Sequence, residues 1–310
     1  MVRHKARGGR TRAAGRVAGA LVALGVVAGL VLWGLKPAAP ARAAHPGVPS
    51  GSDGPAAPAS SSPRPSLAAP SSLSPPDVTG AGWRLAFDAR FPGSRLDTSV
   101  WGTCYPWAGT ASGCTNFGSP EHEWYLPSQD QVSGGVLHLV AQRVPTQGRA
   151  ANGSPEEYAC RSGMVTTYPS FRFKYGYVQV VARIPSGAGL WPALWLAAAN
   201  LKWPPEIDIL EHWGPPKERT GVYFHPLGAG EAEAHPATAD LSAGWHTFSV
   251  NWTPSSVTWF IDGHAALAVG QHVPHQPMYF IANVADYWLP PSGGGCDGAL
   301  LIRSVKVWQR

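Results

Sequence analysis

Glu206, Asp208 and Glu211, in the run Glu206-Ile207-Asp208-Ile209-Leu210-Glu211, are the residues of this chain whose types and spacing are best suited to chemistry. On an extended strand alternate side chains share a face, so Glu206 and Asp208 project together while Ile207 and Ile209 turn the other way. Strict alternation sends Glu211 to the wrong face. One extra residue, a β-bulge between Asp208 and Glu211, returns it. Carboxylates crowded on one face repel, so at least one is expected to keep its proton at neutral pH. A protonated acid beside an ionised partner is what cleavage of a glycosidic bond requires. The plain alternative is a solvated edge strand with three surface acids. The apolar Ile207, Ile209 and Leu210 interleaved with the acids argue against it, because they imply one buried face.

Such a strand needs a framework. Alternating or fully apolar runs recur at residues 136–141, 177–182, 245–252, 257–261, 278–282 and 301–308, with Gly and Pro turn signals between them. No long helical pattern competes, and there is no internal repeat and no Gly-rich phosphate loop. Many short strands around aromatic residues predict an all-β sandwich of two antiparallel sheets.

The globular part is expected at residues 78–310. The first 77 residues hold nine of the 24 Lys and Arg but two of the 19 acids, which leaves the remainder with 15 basic against 17 acidic residues. The overall charge of +5 therefore belongs to the leader, and a nucleic-acid partner is excluded for want of a basic face on the folded part. Residues 1–36 read as a signal peptide or an N-terminal transmembrane anchor: Arg-rich residues precede the uncharged stretch Val17 to Leu35. Both readings export the globular part. Residues 37–77, with little beyond Pro, Ser and Ala, read as a disordered linker, since they cannot bury enough surface to offset chain entropy. In an exported chain Cys104, Cys114, Cys160 and Cys296 are expected in disulfides, and no Cys-x₂-Cys zinc pair is present. The short loop between Cys104 and Cys114 favours pairing those two, which leaves Cys160 with Cys296.

Several stretches resemble glycoside hydrolase family 16. They are Tyr175-Gly176-Tyr177-Val178-Gln179, Gly189-Leu190-Trp191-Pro192-Ala193-Leu194-Trp195-Leu196, the acidic run, Gly135-Val136-Leu137-His138-Leu139 and Trp245-His246-Thr247-Phe248, in that family's order over residues 83–310. The resemblance implies a β-jelly roll with a concave substrate cleft. It makes Glu206 the nucleophile and Glu211 the acid/base, with Asp208 assisting the nucleophile. The bulged spacing is that of laminarinase-like members and of some algal-polysaccharide hydrolases. His225 matches the family's histidine on the neighbouring strand. Glu121 and Asn283 match positions at the cleft, and Trp191 and Trp203 are candidates for sugar stacking. The positions matching the calcium ligands of many relatives are here Arg90 and Arg303, so no metal and no cofactor is expected.

The resulting expectation is a retaining, endo-acting hydrolase of a β-glucan, most of all of β-1,3 linkages, working outside the cytoplasm as a monomer on a polysaccharide. Another β-linked polysaccharide, a galactan or a bacterial exopolysaccharide, is the alternative substrate. A non-catalytic carbohydrate-binding sandwich is the alternative from another class, and the intact acidic set speaks against it. The approach Leu201-Lys202-Trp203-Pro204-Pro205 is short and lacks the Gly that precedes the first Glu in relatives.

Overall fold

The computed structural model describes residues 73–108, 113–214, 219–228, 230–236, 240–287 and 295–310. The expected leader at 1–36 and nearly all of the expected linker at 37–77 lie outside them. Among the described residues no helix is long and apolar enough to cross a membrane.

The period-two runs become strands, and the strands form two principal antiparallel sheets. The larger has eight strands: His264–Val269, Val257–Ile261, His246–Trp252, Gly176–Arg183, Gly298–Gln309, Val136–Ala141 and Asp130–Ser133 in order, with Arg84–Arg90 also paired to Gly298–Gln309. The smaller has six, in the order Ala232–Ala234, Arg219–His225, Glu206–Trp213, Leu190–Ala198, Met278–Asp286 and Met164–Thr166. The strand expected at 257–261 has those bounds. Those expected at 278–282 and 301–308 run on to Asp286 and to Gln309, and Trp245 stands outside its strand.

Alternation decides what each strand buries. Along Leu190–Ala198, Leu190, Leu194 and Leu196 enter the core between the sheets, where they meet Val178, Val180, Trp259 and Ile302 of the larger sheet. Ala193, Trp195 and Ala197 point to the outer face and pack with Tyr105, Tyr125, Tyr279 and Ile281 in a second cluster. Part of the smaller sheet's outer face is therefore covered by an aromatic layer. The strand Met278–Asp286 is buried along its whole length because it lies beneath that layer. Each large buried side chain contributes about 1.5–3 kcal/mol, so this layer is a substantial part of the fold's stability. Both expected disulfides are present, Cys104–Cys114 and Cys160–Cys296, with Cα separations of 5.8 and 6.3 Å.

Candidate active site

The acidic run is the strand Glu206–Trp213, third in the smaller sheet. Against Leu190–Ala198, Trp195 pairs with Asp208 but Leu194 with Leu210, so Ile209 is the extra residue. Against Arg219–His225 the same shift separates the pairs Asp208↔Tyr223 and Glu211↔Gly221. Ile207, Ile209 and Leu210 all enter the core, while Glu206, Asp208 and Glu211 stay on the outer face. The expected bulge is therefore present. Its disrupted ladder is repaired from the core, where the Trp259 indole donates to the Asp208 carbonyl at 2.9 Å.

The three acids differ in their partners. Trp203 Nε1 donates to Glu206 Oε2 at 2.9 Å, and Trp191 Nε1 donates to Glu211 Oε1 at 3.0 Å. Asp208, 1% exposed, faces His225 Nε2 through Oδ2 at 3.4 Å. Burial, then the charge of Asp208, pushes the pKa of Glu206 well above the usual carboxylate range, while His225 and the Trp203 N–H oppose the shift. Glu211 is pushed up by burial and then by the charges of Asp208 and Glu206, with the Trp191 hydrogen bond in opposition. Burial alone would lower the pKa of His225, but Asp208, Glu206 and Glu231 push it up to about 9. The cation thus lies beside Glu206 and Asp208 rather than beside Glu211. Both glutamates are pushed toward the protonated form, and the cation opposes that shift at Glu206.

Among the described residues two side-chain sets are close enough to suggest a metal centre: Glu206, Asp208 and His225, and Cys160, Asp286 and Cys296. In the second set both sulfurs are in a disulfide and offer no thiolate to a cation. At the positions matching the relatives' calcium ligands, Arg90 pairs with Asp88 at 3.4 Å and the Arg303 guanidinium lies 3.9 Å over the Trp245 ring.

The sequence profile described as Glycosyl hydrolases family 16 matches residues 128–288, more than half of the chain. The chain belongs to that family. Among family 16 relatives, an endo-1,3-1,4-β-glycanase of Rhizobium meliloti is 33% identical over 226 residues, which are 68% of this chain and 48% of the relative. A β-glucanase of Rhodothermus marinus is 30% identical over 200 residues, 54% of this chain and 65% of the relative. This chain thus spans about half the length of the first of these relatives. The catalytic domain of an endo-1,3-β-glucanase (laminarinase) from Thermotoga petrophila superposes with a TM-score of 0.62 at 25% identity, covering 73% of this chain and 98% of that one. That likeness agrees with the expected jelly roll.

The family 16 binding residues expected from sequence are placed unevenly. Trp203 is 47% exposed, its ring 5.7 Å from that of His225, and it stands at the Glu206 end of the acidic row. Trp191 is half-buried and stacked on Trp213 at 5.3 Å. Each expected stacking residue thus also holds one carboxylate. Glu121 lies apart from the acidic row, accepting from Tyr125 Oη at 3.0 Å and Asn116 Nδ2 at 3.1 Å. Beside it is Glu123, fully buried, whose pKa is pushed well up by burial and by the charge of Glu121.

Asn283 departs from the expectation of a sugar contact. It is 3% exposed, and its amide is used by Trp195 Nε1 (2.8 Å) and Tyr125 Oη (3.0 Å). It braces the aromatic layer beneath the face instead. Two residues of this face were not foreseen from the sequence. Trp107, 41% exposed, stacks on Tyr105 at 4.8 Å within the loop closed by Cys104–Cys114, and a Trp inside so short a disulfide loop was a readable signal. Glu231, which pairs with His225, lies in a glycine-bearing loop and carries no pattern that could have marked it.

Proposed function

We propose that this protein is a retaining, endo-acting glycoside hydrolase that cleaves a β-glucan, with β-1,3 linkages preferred. The carrying observation is that Glu206, Asp208 and Glu211 share the outer face of the smaller sheet with His225 beside Glu206 and Asp208. The printed activities of the Rhizobium meliloti and Rhodothermus marinus relatives support the substrate class.

In the proposed reaction the ionised Glu206 attacks the anomeric carbon while Glu211 gives its proton to the leaving oxygen. The glycosidic C–O bond breaks as the Glu206 ester forms. Glu211, now ionised, takes a proton from water, and the water oxygen displaces Glu206 at the same carbon. His225 and the Trp203 N–H steady the charge on Glu206 through both steps, and Asp208 pairs with His225. Trp203, Trp191 and Trp107 offer flat apolar rings to the sugar chain. Action outside the cytoplasm belongs to the same proposal. It is supported by the basic start before Val17 to Leu35 and by the two disulfides.

The test is proton NMR of the first product released from a β-1,3-glucan. The β-anomer is expected first, and a first-formed α-anomer rules out retention. Glu206→Gln should abolish turnover in a folded protein, and azide should restore part of the turnover lost in Glu211→Ala. Release of reducing ends from agar or carrageenan alone, among a panel of β-glycans, would refute the substrate while leaving the chemistry standing.

A further inference from the structure

His225 lies between two carboxylates. Its Nδ1 is 3.1 Å from Glu231 Oε2, and its Nε2 is 3.4 Å from Asp208 Oδ2. A neutral imidazole carries one N–H and no charge, whereas an imidazolium carries an N–H on each nitrogen and pairs as a cation with both carboxylates. The strand register sets His225 directly opposite Glu206, so the same ring also faces that carboxylate. Glu231, His225, Asp208 and Glu206 thus form a row in which one cation is shared by three acids.

We propose that Glu231 is a positioning residue: by pairing with Nδ1 it fixes His225 as an imidazolium directed at Asp208, and so sets the charge balance between Glu206 and Glu211. The inference rests on the hydrolase reading above. Glu231 pairs with His225 and acts chiefly through that ring.

The other charged groups nearby do not fill this part. Glu233 is engaged by Arg219 at 3.3 Å and by His235 at 3.0 Å, and Arg219 also donates to Tyr223 Oη at 3.0 Å. From the approach to the acidic strand only the uncharged Trp203 ring meets His225. Glu206 and Asp208 face His225 from the acidic strand, and Glu231 faces it from the other side. The charge of Glu231 also adds to the forces that keep Glu211 protonated, after burial and the charges of Asp208 and Glu206. Removing it favours the neutral form of His225 and the ionised form of Glu211. Both changes act on the alkaline side of the pH–rate profile and in one direction. The acid side reflects ionisation of Glu206 at pH values where His225 is charged with or without Glu231, so it stays in place.

The experiment compares the full chain with Glu231→Gln and Glu231→Asp. It tracks kcat and KM against pH on a soluble β-1,3-glucan, and the His225 ring by NMR titration, with His225→Asn to assign the signal. In Glu231→Gln the His225 titration and the alkaline limb are expected to fall by about half a pH unit, an about threefold loss of kcat above the limb. The acid limb and KM should hold within about twofold. Glu231→Asp should recover part of the shift. Because Glu231 is partly exposed, 1 M salt should move the wild-type limb toward the variant's by screening. An unchanged His225 titration with an unchanged alkaline limb overturns the proposal, even if the variant melts earlier. If the wild type cleaves no β-glycan, the hydrolase reading fails, while the His225 titration still decides whether Glu231 fixes the ring.

Discussion

Replacing Trp191 by Phe removes one hydrogen bond and keeps an aromatic ring against Trp213. The bond lost is the 3.0 Å donation from the indole N–H to Glu211 Oε1. It favours the ionised carboxylate and so opposes burial and the charges of Asp208 and Glu206, which push the pKa of Glu211 up. A hydrogen bond to a charged group contributes about 1.5–3 kcal/mol, and water that can replace the donor at a half-buried group reduces this to about 1 kcal/mol. That corresponds to about 0.7 of a pH unit. In the proposed reaction Glu211 is protonated in the first step, so a higher pKa keeps the enzyme active to higher pH. The alkaline limb of kcat/KM should therefore move up by about 0.7 unit, for an about fivefold gain above the wild-type limb. The plateau should fall somewhat, because a weaker acid donates its proton less readily. The limb reports the interacting acids together, so the shift is the quantity to compare and not either absolute position. Reducing ends released from a soluble β-1,3-glucan, measured from about pH 4 to about pH 10, give the profile. A limb that stays put or moves down, with KM unchanged, refutes the assignment of Glu211 as the proton donor held by Trp191.

Buried polar groups lead to two further outcomes. Glu123→Gln keeps an acceptor for the Asp286 N–H, which Glu123 Oε2 now holds at 2.6 Å, and removes an acid whose folded pKa is raised well above its unfolded one by burial and Glu121. As pH rises through the ordinary carboxylate range the unfolded chain ionises first, so the wild type loses stability there and the variant does not. Calorimetry should show a melting temperature about 3 °C higher near neutral pH, for about 1 kcal/mol, with the gain gone below about pH 4. The same gain at both pH values would contradict this reading. Trp259→Phe strands the buried Asp208 carbonyl at a cost of about 2 kcal/mol, or about 6 °C of melting temperature, and turnover should fall with it. A loss under about 1 °C would mean that the carbonyl finds another donor.

The sequence made the acidic face more legible than its support. Glu206, Asp208 and Glu211 could be placed from side-chain alternation and one extra residue, because the period of a strand is a local property. The Cys104–Cys114 pairing was legible for the same reason, with a separation of 10 residues along the chain. Asn283 was misjudged because position along a strand says which face a side chain takes but not what covers that face. Here the cover is an aromatic layer drawn partly from the segment around Tyr105 and Tyr125, far away in sequence. Glu231 was invisible because its part is given only by the distance to His225, a contact made across a loop.

The bulge joins these two scales. A regular strand of this composition would present two acids outward and bury the third in the core, at a desolvation cost the fold could not offset. Inserting Ile209 places all three acids outward and all three apolar residues inward. It also interrupts the backbone ladder next to Asp208, where an unsatisfied buried carbonyl would cost about 1–3 kcal/mol. The donor that prevents this is Trp259, from the strand Val257–Ile261 of the opposite sheet, packed in the same core as Ile207, Ile209 and Leu210. The position of Glu211 relative to Glu206 is therefore fixed by the packing between the sheets as well as by the acidic strand itself. A core substitution that shifts Trp259 should alter the proton balance on the far face of the smaller sheet without touching an acid.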